Sequence, residues 1–158
     1  MSLNESKKEL AVAALKNGTV IDHIPSEVLF QAVKILGISE MNHSVTIGYN
    51  LDSAKLGKKG IIKVSDIEFA PDVIDRIALI APTAVVNIIR DYEVVDKRPV
   101  KLPEAVTGII RCNNPKCITN NENIPTRFIV VDGKDHLDTV VRCHYCNHSQ
   151  LATKAQMI

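Results

Sequence analysis

Four cysteines carry the most legible chemistry in this chain. Cys112 and Cys117 are separated by four residues, Cys143 and Cys146 by two, and twenty-five residues lie between the pairs. Two such knuckles bring four thiolates to one tetrahedral metal ion, the layout of a structural zinc site. Four sulfurs fill the shell and leave no open position for a catalytic water. His144 and His148 flank the second pair, and beside a filled shell they read as bystanders. Disulfides are the competing use of these cysteines, but they belong to oxidising compartments, and the polar start Met1–Leu10 is unlike a secretion signal. An iron centre of the rubredoxin type takes the same ligands, so the spacing leaves both metals open, with zinc preferred.

Other reactive constellations are weak. The sequence holds no G-x-x-x-x-G-K-[ST], G-x-G-x-x-G, G-x-S-x-G or H-E-x-x-H, which removes phosphate loops, dinucleotide binding, serine hydrolysis and metalloprotease chemistry. A non-enzymatic protein is the expectation. Asp22 and His23 adjoin on a predicted strand, where neighbours point to opposite faces, so they read as a hydrogen-bonded strand end rather than an acid–base pair. Lys63 interrupts the run Ile61, Ile62, Val64, and Lys97 closes the last β-branched stretch. A lysine in such a place needs either water or an anion.

The whole chain sets limits on what these residues can serve. It has 158 residues, 46% of them apolar and 23% charged, enough to bury one ordinary core or two small ones and unlike a disordered or collagenous sequence. Nineteen basic against eighteen acidic side chains give a formal charge of +1, and there are three Tyr, three Phe and no Trp. A zinc-ribbon module for nucleic acid would need a basic, aromatic-bearing face, so that alternative is disfavoured, as no nucleic-acid partner is expected. No apolar run nears the ~20 residues that span a bilayer, so no membrane segment is expected and the chain is read as cytoplasmic.

The elements that must position these residues fall into two halves. Thr19–Ile24 is a β-branched run closed by Pro25, preceded by a weaker apolar run, Leu10–Leu15, assigned to the same strand. Ser26 is the expected N-cap of a helix that carries Leu29, Ala32, Val33 and Leu36 and ends at Gly37. Val45, Ile47, Tyr49 and Leu51 alternate with polar residues, predicting a strand with one face on a core. Ser53–Gly60 reads as a turn before a short strand Ile61–Val64. Pro71 opens a second helix that stops before Pro82, and Ala84–Val95 is predicted as one final strand. Strand, helix, strand, strand, helix, strand is the split βαβ pattern, a ferredoxin-like four-stranded sheet with both helices on one face. A connector at about 97–103, with Pro99 and Pro103, separates domain 1–103 from domain 104–158. The latter reads as short strands around the cysteines, a small all-β unit that needs a metal staple. The fold class is therefore α+β.

Taken in order, these residues resemble a known family, the regulatory chain of aspartate carbamoyltransferase. The resemblance rests on Asn17–Pro25, Thr46–Leu51, Ala81–Pro82, Val86–Ile89, Tyr92–Val95 and the cysteine layout. It implies a non-catalytic subunit that binds CTP and ATP, with UTP as a further effector, in its first domain. Through the second domain, with one structural Zn2+ on Cys112, Cys117, Cys143 and Cys146, it would hold the catalytic chain. It also implies a homodimer of regulatory chains inside a larger hetero-oligomer. Carried over by position, the nucleotide site would draw on Val12, Ala14, Leu15, Val20, Asp22, His23, Lys63, Asn87, Ile89, Tyr92, Val94 and Lys97. Lys97 and His23 suit triphosphate charge, and Asp22 and Lys63 suit ribose hydroxyls or a base edge. Main-chain groups around Leu15, Tyr92 and Val94 suit the base. Lys59 reads as a solvated turn lysine.

Overall fold

The computed structural model describes residues 14–132 and 137–158, so Val12 and most of the Leu10–Leu15 run lie outside the described residues. Two compact units emerge: residues up to Ile74 with Thr83–Val100, and Asp75–Pro82 with Lys101–Ile158. Among the described residues no helix is long and apolar enough to cross a membrane.

The first unit is a five-stranded antiparallel sheet of order β2-β3-β1-β4-β5. Strand β1 (Gly18–Pro25) is central, paired with β3 on one side and β4 on the other. Its alternation has a direct consequence: Thr19 and Ile21 go into the core, at 1% and 0% exposure, while Val20 and Asp22 point to the other face. A 3-10 turn, Ser26–Val28, leads into α1 (Leu29–Leu36). Gly37 ends α1 at φ 68°, its N–H bonded to Lys34 O at 3.1 Å, the left-handed stop that glycine adopts freely. Ser26 is not the expected cap. Residue Val28 precedes α1, and the Ser26 hydroxyl is buried without a partner among the described residues.

Strand β2 (Val45–Ser53) is an edge. Its expected core face is only half covered, with Ile47 and Tyr49 at 41% and 54% exposure. A bulge between Gly48 and Leu51, with Asn50 at φ 59°, twists the strand, and the Tyr49 ring lies 5.2 Å from that of Phe30 on α1. Strand β3 (Gly57–Ser65) starts earlier than the turn composition suggested, so Lys58 and Lys59 are strand residues. Gly60 passes against α1: a Cβ there would lie 2.6 Å from Leu29 Cδ1. Helix α2 (Pro71–Ile80) has the predicted bounds, and Ala70 O accepts from the Val73 and Ile74 N–H groups where a polar cap is missing. Its first turn groups with the sheet, whereas Asp75–Ile80 group with the second unit.

The predicted strand Ala84–Val95 is a hairpin of β4 (Val85–Arg90) and β5 (Glu93–Pro99). Asp91 and Tyr92 occupy its turn at φ 49° and 66°, the two positive angles of a type I′ turn. Neither is glycine, which hid the reversal. The predicted connector consequently begins inside β5, at Lys97–Pro99.

The second unit holds a four-stranded antiparallel sheet in chain order, β6 (Ala105–Thr107), β7 (Arg127–Asp132), β8 (Val140–Cys143) and β9 (Ser149–Leu151). A one-turn helix α3 (Ile118–Asn121) follows Cys117. Phe128, Ile110 and Val141, all at 0% exposure, pack with Leu79 and three of the cysteines into one core.

Candidate functional site

The cysteine knuckles are shaped by asparagines. Asn114 Oδ1 accepts from Lys116 N–H at 3.1 Å, and Cys117 N–H donates to Asn114 O at 3.0 Å, which folds the first knuckle back on itself. Asn120 Nδ2 then clamps it by donating to Cys112 O and Asn114 O, both at 2.8 Å. In the second knuckle Asn147, at φ 60°, donates its N–H to Cys143 O at 2.9 Å, and Cys143 N–H donates to His148 O at 2.9 Å. The four sulfurs so placed lie within 4.8 Å of one another. Cys112 Sγ is 3.6 Å from Cys146 Sγ, and Cys117 Sγ is 3.7 Å from Cys143 Sγ. A tetrahedral shell with metal–sulfur bonds of about 2.3 Å has sulfur–sulfur edges of about 3.8 Å, so this set fits one zinc ion.

The protonation chemistry is that of an unneutralised cluster. Burial pushes the Cys112 thiol up to about 12, aided by the sulfurs beside it, and burial raises Cys143 as well. For Cys146 burial also raises, but the His148 backbone, Asn114 and the neighbouring sulfurs outweigh it and bring the thiol down to about 7. A divalent ion removes the conflict by taking all four as thiolates. The Thr119 hydroxyl, 3.1 Å from Cys117 Sγ, can donate to that thiolate. His144 and His148 are exposed, and the His144 ring packs edge-on to Tyr145 at 5.2 Å, so neither joins the sulfurs.

Of the residues expected around a nucleotide, Val20, Lys63, Asn87 and Lys97 lie on the sheet face opposite its core. Lys63 on β3 pairs with Val20 on β1, Val20 with Asn87 on β4, and Asn87 with Lys97 on β5, forming one lateral row. Thr46 on β2 extends the row beyond Lys63, a position with no expected site role because register is invisible before the strands pair. Ile21, Ile62 and Val86 form the alternate row on the core side. Asp22 lies within β1 next to a bulge at His23, whose φ is 56°. Its carboxylate accepts from His23 N–H at 2.6 Å and meets Lys59 Nζ at 2.9 Å. Lys59 is therefore a half-buried, paired residue rather than a solvated turn lysine. The His23 carbonyl accepts from Thr83 Oγ1 at 2.9 Å, and the ring Nδ1 is buried without a partner among the described residues.

Ile89 is buried in β4, and it pairs with Val94, which is 55% exposed. Tyr92 projects from the β4–β5 turn at 65% exposure. The segment before β1 holds that turn in place: Tyr92 N–H donates to Lys16 O at 3.0 Å, and Asp91 N–H donates to Asn17 Oδ1 at 3.2 Å. Ala14 is exposed and Leu15 half-buried just ahead of these contacts. Lys16 and Asn17 had no expected site role, since a main-chain oxygen and a side-chain oxygen that accept from a distant turn leave no sequence signature.

Comparison with known proteins gives concordant results. The family model for the aspartate carbamoyltransferase regulatory chain, allosteric domain, matches residues 10–101. The model for the metal binding domain of the same chain matches residues 104–155. An aspartate carbamoyltransferase regulatory chain from Bacteroides thetaiotaomicron is 57% identical over 148 residues, covering 94% of this chain and 95% of that one. One from Bacteroides fragilis is 56% identical over 148 residues, with the same coverage. One from Pyrococcus horikoshii is 48% identical over 143 residues, covering 89% of this chain and 92% of that one.

Proposed function

The chain belongs to the aspartate carbamoyltransferase regulatory chain family, with an allosteric and a metal-binding domain, and from that premise we propose that it binds CTP and ATP, with UTP as a further effector, on residues 1–103 and docks the catalytic chain through residues 104–158. The observation that supports an effector site is the lateral row Lys63, Val20, Asn87, Lys97, which sets two lysines and an amide on the side of the sheet away from its core. Lys97 supplies charge for a triphosphate, Asn87 and Lys63 supply hydrogen bonds to ribose or base, and Asp22 accepts from a ribose hydroxyl. Tyr92, Val94, Leu15 and their main chain border the base.

Effector control is linkage. A nucleotide changes activity only by the difference in its binding free energy between two states of the assembly, so the chain must contact the catalytic partner differently in each. Regulatory chains would pair as homodimers in that assembly, which would be cytoplasmic. The test is to mix the purified chain with the catalytic chain from the same source and record the aspartate saturation curve. A larger complex is expected whose curve shifts with CTP or ATP. No complex, or a curve indifferent to every nucleotide, would reject the reading.

A further inference from the structure

The second unit contains a cavity of about 600 Å³ lined by Arg111, Asn113, Asn120, Lys154 and Gln156, with Cys112 among its walls. The backbone around it is fixed. Arg111 N–H donates to Gln156 O at 2.9 Å, Ile110 bridges to Met157, and Asn113 N–H donates to Gln150 Oε1 at 3.1 Å. Asn120 is locked by its two bonds to carbonyls of the first knuckle. Two cations and three side-chain amides thus line one concavity that has no carboxylate in its lining.

Arg111 and Lys154 form no ion pair with any described residue, whereas Arg90 and Arg98 each meet an acid within 3 Å. A neighbouring cavity of about 420 Å³ shares Arg111 and Asn120 and adds Glu122, which also leaves Arg111 unpaired. Arg111 and Lys154, both exposed, put two like charges and up to eight N–H donors on one concave surface whose lining holds amide oxygens but no carboxylate to neutralise them. An incoming anion relieves both conditions.

We infer that this cavity receives a carboxylate side chain of the catalytic chain, held by Arg111 and Lys154. The inference rests on the reading that the zinc unit docks that chain. A carboxylate is favoured over phosphate by charge: with a divalent ion bound, the four cysteines including Cys112 would carry a net −2 as thiolates, and a dianion beside them would be repelled about twice as strongly as a monoanion.

The test uses the full chain and the catalytic chain, with association measured by sedimentation across a salt series, and zinc content and CTP binding measured in parallel. Arg111→Glu with Lys154→Glu is expected to weaken association at least about tenfold, with zinc and CTP binding unchanged. Arg111→Gln with Lys154→Gln removes both charges but leaves polar side chains, and should weaken it less while flattening its salt dependence. Wild-type association in both neutral and reversed variants would overturn the inference. So would inorganic phosphate that binds wild type but not the neutral variant and competes with the partner, since the cavity would then be a free-oxyanion site. Failure of the wild-type chain to associate at all would instead overturn the docking reading beneath it.

Discussion

Lys97 and the cysteines illustrate two ways in which a single residue can matter. Lys97 is exposed at the sheet edge, so its removal costs the fold little, while a charge-assisted hydrogen bond to a phosphate is worth about 1.5–3 kcal/mol. Lys97→Ala is expected to weaken CTP and ATP binding by that amount with the melting temperature preserved; unchanged affinity by calorimetry would remove Lys97 from the site. Cys112 and Cys143, by contrast, sit inside the second core. Structural zinc supplies on the order of 10 kcal/mol of folding free energy in small modules, so Cys112→Ala or Cys143→Ala should release the metal and unfold this unit. Metal analysis should find about one zinc per chain in the wild type and much less in either variant. The ligand set was fully legible in the sequence because cysteine spacing reports its own geometry. The asparagines that brace it were not, since a side chain that donates to a nearby carbonyl is indistinguishable from any loop asparagine until the knuckle closes.

At the level of elements, what was readable depended on punctuation. Helix α2 announced both ends with Pro71 and Pro82, and α1 its stop with Gly37. The β4–β5 reversal lacked the glycine that normally marks a type I′ turn, so two strands looked like one. That turn also offers a way to separate fold from function. Tyr92 pays a conformational cost at φ 66°, and Tyr92→Gly should hold or raise stability by up to about 1 kcal/mol while weakening nucleotide binding. Lower stability in chemical denaturation would mean that the ring packs on the sheet more than its exposure suggests. Gly60 gives the opposite test. A methyl group there meets Leu29, which is fully buried, and overpacking of this kind costs about 1–3 kcal/mol. Gly60→Ala should be destabilising, and Leu29→Val in the same chain should recover part of the loss; additive losses would place the strain elsewhere.

For the whole molecule, the central question is whether the two units can be uncoupled. All four cysteines lie in the second, so a mercurial that strips the metal acts there first. The stripped chain should separate from the catalytic partner yet still bind CTP on its first unit, losing the response while keeping the ligand. Simultaneous loss of nucleotide binding would show that the units do not stand independently. The succession of strands and helices as far as β4 was readable from pattern, whereas the grouping of Asp75–Pro82 with the metal unit was not. Long-range packing of a helix whose residues Ile77, Ala78, Leu79 and Ile80 are all buried leaves only an apolar run in the sequence.

The lateral row across the sheet also bears on how such a chain can diverge. Lys63 and Val20 alternate with Ile62 and Ile21 along their strands, and side chains repeat on a face every second residue. One residue inserted into or deleted from β1, β3 or β4 would turn a lysine or amide inward and an isoleucine or valine outward, destroying core and row together. Retuning which ligand such a chain answers to is therefore simplest by replacing side chains in place, with changes in chain length absorbed at reversals such as Ala54–Leu56 and the Asp91–Tyr92 corner or at bulges like those in β1 and β2.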